Sequence, residues 1–316
     1  MTIPVILSID NNVVMPCGVT ITSLLHNAKP DTFYDIYILF KTESLSEDSR
    51  ERIHNAFQDK DNCSIQFVEV GERLDQVQTS GNSHITSATY YRLSIPDLFP
   101  QFNKVVYSDI DIIFQQDLSD VFSQTLLNDE WIAAVPDLSI DGKRILDSQL
   151  PSKVGKNADD YVNAGFLIMN LEALRTHNVT SLFYDHAQKK YDQHDQDILN
   201  IVCDGRIQIL PSRFNFQPNH FLHYMWSGLD KGISFQPFFQ DATVHYTWKH
   251  KPWNSLECVA SDIWWSYYRL SPFYDDSFYF KRQQEQIEAV RNDYHKRTDK
   301  QLLLRILANI KHKIFK

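Results

Sequence analysis

The chain opens with an apolar run, Ile3-Pro4-Val5-Ile6-Leu7-Ser8-Ile9, closed by Asp10-Asn11-Asn12. A run of this length, rich in β-branched residues and followed by turn formers, predicts a buried strand. Val13 to Leu25 predicts the helix that follows, entered through Pro16. Phe33 to Phe40 alternates Tyr34, Ile36, Ile38 and Phe40 against Asp35, Tyr37 and Leu39, the period of a strand. Ser46 to Gln58 puts Ile53, Ala56 and Phe57 on one helical face, and Ser64 to Val70 reads as a third strand. Strand-helix-strand-helix-strand order favours a mostly parallel sheet with helices on both faces.

Further along, Ala88 to Pro96 predicts a helix and Lys104 to Ser108 a strand ending directly on Asp109. Strands follow at Trp131 to Val135 and within Tyr161 to Asn170, then helices at Leu171 to Lys190 and Gln196 to Cys203. Ile207 to Leu210 and Ala242 to Tyr246 read as the last strands. Beyond Trp253 the pattern turns helical and aromatic. In the final segment Leu303, Ile306, Leu307, Ile310 and Ile314 share one helical face, with Lys300, Arg305, Lys311 and Lys313 mostly off it. The expected division is an α/β catalytic domain over 1–255 and a helical region with a basic amphipathic tail over 256–316.

Charge narrows the partners. The net charge is −9, which argues against a groove that tracks a nucleic-acid backbone. From Lys296 to Lys316, however, seven basic residues face one acid, Asp299. A basic amphipathic tail of this kind suits contact with an anionic membrane surface. Cys17, Cys63, Cys203 and Cys258 are too scattered for a metal knuckle or a redox pair. With no export signal in the first residues, the expectation is a cytoplasmic protein, peripheral on the inner face of the membrane.

The chemistry centres on Asp109-Ile110-Asp111. Two carboxylates at the carboxyl end of an apolar strand are costly unless paired or bound to a metal. That edge is where ligands sit in open α/β sheets. Such a pair can hold a hard divalent ion, and an ion there can neutralise a diphosphate. His245, just after Val244, can supply a third ligand or be a satisfied core or surface histidine, and Lys251, in a cluster with Lys249 and His250, offers a point charge for phosphate. Asp10, at the end of the first strand, can accept from a base or ribose or cap the next helix. Asp195-Gln196-Asp197, opening a helix, can grip sugar hydroxyls or act as caps. Two other readings compete: a nucleotidyltransferase or phosphatase that uses the same acid pair, and a non-enzymatic carbohydrate-binding module with aromatic platforms that needs no metal site.

Six segments occur in a family's order: Ser8-Ile9-Asp10-Asn11-Asn12, His84 with Thr89-Tyr90-Tyr91-Arg92-Leu93, Tyr107-Ser108-Asp109-Ile110-Asp111, Val162-Asn163-Ala164-Gly165-Phe166, Asp195-Gln196-Asp197-Ile198-Leu199-Asn200, and His245-Tyr246 with Lys251-Pro252-Trp253. Over residues 3 to 253 the chain resembles the retaining glycosyltransferases of family 8. The resemblance implies a GT-A type fold and transfer of a hexose, galactose or glucose, from a UDP-sugar with retention of configuration. It implies manganese, with magnesium as the substitute, held by Asp109, Asp111 and His245. Asp10 resembles the uracil-binding acid and Asn12 a donor contact. Arg92, Asn163, Asp195 and Gln196 resemble contacts to the donor sugar, with Asp195 and Gln196 the catalytic candidates. Lys251 resembles the diphosphate contact and His84 an acceptor contact. Ser8, Ile110 and Ala164 fall within the same motifs and join the substrate-binding set. The acceptor implied is a glycan, lipid-linked as in lipopolysaccharide or protein-linked.

Two departures stand out. The family's aromatic after the first motif is Val13 here. The Gly-Pro pair usual between the last histidine and lysine is replaced by Tyr246-Thr247-Trp248-Lys249-His250.

Overall fold

A computed structural model describes residues 1–74, 87–137, 139–140, 143–144, 160–218, 241–255 and 258–314. Its strands are β1 (Thr2–Ser8), β2 (Phe33–Phe40), β3 (Cys63–Glu69), β4 (Lys104–Ser108), β5 (Ile112–Ile113), β6 (Ile132–Pro136), β7 (Ser139–Ile140), β8 (Lys143–Arg144), β9 (Val162–Asn170), β10 (Ile207–Ile209) and β11 (Val244–His245). Seven of them form one sheet in the order β10-β6-β9-β4-β1-β2-β3. All its pairings are parallel except those of β9, which runs antiparallel to both β4 and β6. This is the mixed, mostly parallel sheet expected of a GT-A type fold.

The alternation along each strand sorts side chains to the two faces. Ile3, Val5, Leu7, Ile36, Ile38, Val106 and Ile168 face one way, onto Cys17, Ile21 and Leu24 of the Val14–His26 helix and Ile53 and Phe57 of the Glu47–Phe57 helix. Ile6, Leu39, Val105, Tyr107, Leu167 and Met169 face the other way, onto Tyr90, Tyr91, Leu174, Phe183 and Ile198. Both faces are therefore covered, and the C-terminal strand ends are left as the open edge.

Three elements differ from the sequence reading. Ser87–Ser94 is a 3-10 turn followed by a short helix at Ile95–Leu98, because Pro96 cannot donate within a continuing helix. The helix expected over 171–190 is two, Leu171–Thr176 and Val179–Ala187, parted by Asn178 in the left-handed region (φ 52°). Asparagine tolerates that region better than most side chains. The last strand is only Val244–His245, and it pairs with β5 in a separate two-stranded sheet.

A third apolar cluster covers that small sheet. Ile113, Val244 and Tyr246 pack with Trp264, Trp265 and Tyr268 of the Ser261–Leu270 helix. Asp276–Ile314 is one long helix, and its early residues Phe278 and Tyr279 reach the same cluster. Among the described residues no helix is long and apolar enough to cross a membrane. The four cysteines are free thiols.

Candidate functional site

The Asp109-Ile110-Asp111 turn is pinned through its backbone at three points. Asp109 N donates to Gly165 O at 2.8 Å, Thr20 Oγ1 donates to Ile110 O at 2.6 Å, and Tyr246 N donates to Asp111 O at 2.9 Å. Each bond comes from a different element, so the two carboxylates are aimed by the fold as a whole. The pairing of His245 with Ile112 then brings the imidazole to them. His245 Nε2 lies 3.1 Å from Asp111 Oδ1 and 3.8 Å from Asp109 Oδ2. One ligand atom from each of the three residues falls within 4.8 Å of the others.

Gly165 makes room for that imidazole. A Cβ there would stand 2.2 Å from His245 Cε1 and 2.7 Å from Nδ1, so any larger residue must push the ring aside.

Charge at the turn is shared with two cations, the buried Arg92 and the half-buried Lys251. Arg92 donates from Nη2 to Asp109 Oδ1 at 2.8 Å and from Nη1 to Ala164 O at 2.5 Å. Its Nε lies 2.8 Å from Asp195 Oδ2, although the Nε hydrogen goes to Thr89 O. Burial works against the charge on Arg92, but Asp109 and Asp195 more than offset it and hold the guanidinium charged. Lys251 Nζ donates to Asp111 Oδ2 at 2.5 Å and to Tyr246 O at 2.6 Å. Burial alone would raise the Asp111 carboxyl, but Lys251 and His245 together bring it well below the usual carboxylate range.

Asp195 behaves differently. It is buried in the first turn of the His194–Val202 helix, and burial pushes its carboxyl up to about 6 against the downward pull of Arg92. Gln196 beside it is fully engaged. Its Oε1 accepts from Asn163 Nδ2 and Ala164 N, both at 3.1 Å, and its Nε2 donates to Tyr161 Oη at 3.2 Å. Asp197 turns inward to Tyr161 Oη and Gln193 N and is a structural partner. Asp10 accepts from Asn12 N at 2.8 Å, so the capping reading holds, and both residues also face the site.

One cavity of roughly 1030 Å³ is lined by every predicted site residue but one: Ser8, Asp10, Asn12, Arg92, Asp109, Ile110, Asp111, Asn163, Ala164, Asp195, Gln196, His245 and Lys251. His84 lies outside the described residues. The structure adds residues that no motif had marked. Asp137 accepts from Asn163 Nδ2 at 3.2 Å. Asn215 Oδ1 lies 2.8 Å from His245 Nδ1, within hydrogen-bond distance. The one sequence signal for Asn215 is an amide set between Phe214 and Phe216. Trp248 lines the cavity with 60% of its surface exposed and a left-handed backbone (φ 68°). That conformation suits glycine, and it falls in the stretch where the family carries Gly-Pro.

Asp111 Oδ1 tests whether these residues fit a metal ion. It is buried with no hydrogen-bond partner among the described residues. Its neighbour is the ring nitrogen of His245 that faces away from Asn215. Oxygen and nitrogen donor atoms set this close to one another suit a divalent cation.

The profile of glycosyl transferase family 8 matches residues 4–257. The chain belongs to this family. A putative glycosyltransferase of Haemophilus influenzae is 28% identical over 223 residues, 69% of this chain and 64% of that protein. General stress protein A of Bacillus subtilis is 27% identical over 255 residues, 78% of this chain and 85% of that protein. The lipopolysaccharide 1,2-glucosyltransferase of Escherichia coli is 28% identical, over 68% of this chain and 61% of that enzyme. The chain thus spans under two thirds of the Haemophilus and Escherichia relatives. Among solved structures, galactosyltransferase LgtC in complex with donor and acceptor sugar analogs superposes with a TM-score of 0.69 at 24% identity. It covers 88% of this chain and 100% of LgtC. At that identity the likeness establishes the GT-A fold of this family-8 chain.

Asp195 carries a checkable pH dependence. Its folded value of about 6 stands above the ordinary 3.8, so folding takes up a proton between those values. The contribution to stability is fully present below pH 3.8 and is lost as pH rises through about 6. Carbon-13 NMR of the Asp195 carboxyl is expected to titrate with a midpoint near 6; an ordinary aspartate midpoint would refute the assignment.

Proposed function

We propose that this family-8 chain transfers a hexose, galactose or glucose, from UDP to a hydroxyl of a glycan, with manganese as cofactor and with retention of configuration. The observation that carries this reading is the convergence of Asp109, Asp111 and His245 on one point beside Lys251, within a cavity large enough for a nucleotide sugar. Relatives named for glycosyl transfer support the reaction class. The catalytic part is taken as residues 1–255, with a helical appendage from 256.

A divalent ion held by Asp109, Asp111 and His245 would neutralise charge growing on the departing diphosphate. Lys251 adds a point charge for the same group. Asp10 and Asn12 offer polar contacts to the nucleoside. Asn163, Arg92, Asp195 and Gln196 form the polar wall for the sugar. Trp248 offers a flat apolar face on which a ring can stack.

In the reaction the bond from the anomeric carbon to the phosphate oxygen breaks. The acceptor oxygen bonds that carbon from the same face, and its proton passes to a phosphate oxygen. Gln196 is ill suited to attack the sugar covalently. It is an amide, and its oxygen is already held by two donors, Asn163 Nδ2 and Ala164 N. We therefore assign Gln196 to positioning. Asp195, buried and close to Arg92, is the carboxylate that faces the developing positive charge on the sugar.

The tail supports an acceptor at the cytoplasmic leaflet, a lipid-linked glycan of the lipopolysaccharide kind. Its apolar stripe flanked by Lys300, Arg305, Lys311 and Lys313 matches an anionic surface. A protein-linked glycan uses the same donor chemistry and is the second acceptor class.

Three outcomes follow. Calorimetry is expected to show UDP binding with manganese that weakens at least tenfold in EDTA; equal affinity in both would remove the metal reading. With UDP-galactose or UDP-glucose, Asp195→Asn is expected to lower kcat more than tenfold while UDP affinity changes less than about threefold, in line with a group acting mainly in the transition state. The opposite split would assign Asp195 to binding. Vesicles containing anionic lipid are expected to retain the full chain and to release a chain ending at Tyr294; equal retention would cancel the membrane contact.

A further inference from the structure

We propose that Asn215 is a positioning residue that keeps the hydrogen of His245 on Nδ1, so that Nε2 is the nitrogen left to face a cation beside Asp109 and Asp111. The inference rests on the reading of those three residues as a metal site.

The directions of the hydrogen bonds decide it, starting from groups that cannot reverse. The backbone N–H of Gly165 can only donate, and it lies 2.9 Å from Asn163 Oδ1. That atom is therefore the amide oxygen. The other end of Asn163 agrees, since its Nδ2 donates at 3.2 Å to the Asp137 carboxylate. It also donates to Gln196 Oε1, which the backbone N–H of Ala164 independently marks as oxygen. An oxygen at Asn163 requires a donor from Asn215, and Asn215 Nδ2 supplies it at 2.8 Å. The oxygen of Asn215 must then face His245 Nδ1, 2.8 Å away, and an amide oxygen has no hydrogen to give. The hydrogen of that bond belongs to Nδ1.

Local structure leaves little freedom to evade this. Asn215 closes the Ser212–Phe214 turn, and the next residue, Phe216, bridges to Val244. His245 N donates to Phe216 O at 2.7 Å, so the same bridge fixes the backbones of both partners. Asn215 and His245 are only 2% and 3% exposed, so water offers no ready substitute acceptor. Gly165 lies against the ring edge near Cε1 and Nδ1. Were the Nδ1 hydrogen moved to Nε2, it would sit on the ring edge beside the two acids, where Asp111 Oδ1 is 3.1 Å away, and take the lone pair a cation needs. A histidine ligand is commonly oriented by the partner of its other ring nitrogen, and loss of that partner typically weakens metal binding about 10–100-fold.

The test compares the wild type with Asn215→Leu, which keeps bulk but removes the acceptor. Nitrogen-15 NMR of the His245 ring, recorded without metal, is expected to show a protonated Nδ1 in the wild type and its loss in Asn215→Leu. Manganese affinity, read by electron paramagnetic resonance, is expected to fall about 10–100-fold in the variant. An unprotonated Nδ1 in the wild type, or a leucine variant with the same ring spectrum and the same manganese affinity, would overturn the proposal. If the leucine variant does not fold, Asn215→Asp restores an acceptor and is expected to keep the Nδ1 hydrogen; its loss there would also overturn the proposal. The ring spectrum needs no ion. A wild type that binds no manganese would thus end the metal reading while the spectrum still judges Asn215.

Discussion

Arg92 is the interaction on which the site depends. One buried guanidinium reaches Asp109 Oδ1 and lies within 2.8 Å of Asp195 Oδ2, joining the strand-end turn to the helix that carries Asp195. Its central carbon also sits 4.4 Å from the Tyr107 ring centroid. Without it, the buried Asp195 and the half-buried Asp109 would keep the Thr89 and Tyr107 hydroxyls as donors but lose their shared cation, and breaking a buried pair typically costs about 3–5 kcal/mol. The 3-10 turn at Ser87–Ser94 matters because it delivers this one side chain across the sheet edge.

Around that bridge, backbone bonds do the aiming. Asp109 N, Ile110 O and Asp111 O are each held by a different segment, from β9, the Val14–His26 helix and the residue after β11. Rotamer freedom is thus the only freedom left to the two acids. The antiparallel course of β9 serves the same purpose. It sets Gly165 O against Asp109 N and leaves the face of Gly165 bare for His245.

Much of this was legible in the sequence. Period-two alternation in Phe33–Phe40 and the apolar runs of β1 and β4 marked the sheet. The motif acids and His245 are marked by residue type and position, Arg92 by the family resemblance, and one cavity unites them. What escaped notice was geometry without a local signature. Nothing in Ala88 to Pro96 distinguishes a 3-10 turn from a helix except Pro96 near its end. Asn178 breaks a helix through a backbone angle that residue type only permits. Asp137 and Asn215 act through partners far along the chain, with separations of 26 and 30 residues to Asn163 and His245. No periodicity records such contacts.

The charge balance of the cavity explains a feature that pair distances alone leave odd. Asp10, Asp109, Asp111, Asp137, Asp192 and Asp195 line it, with Arg92, Lys249 and Lys251 as the permanent cations among the described lining residues. Lys251 is tied to Asp111 Oδ2 and Tyr246 O, so the charge proposed for a diphosphate already has an anionic partner. A carboxylate shared with a divalent cation attracts an ammonium less strongly, because part of its charge is already balanced. On the proposed reading, a divalent ion held by Asp111 would weaken that hold, and Lys251 could then serve a phosphate. The contact of Lys251 with Asp111 would then mark the place where both charges of a diphosphate–metal pair are met.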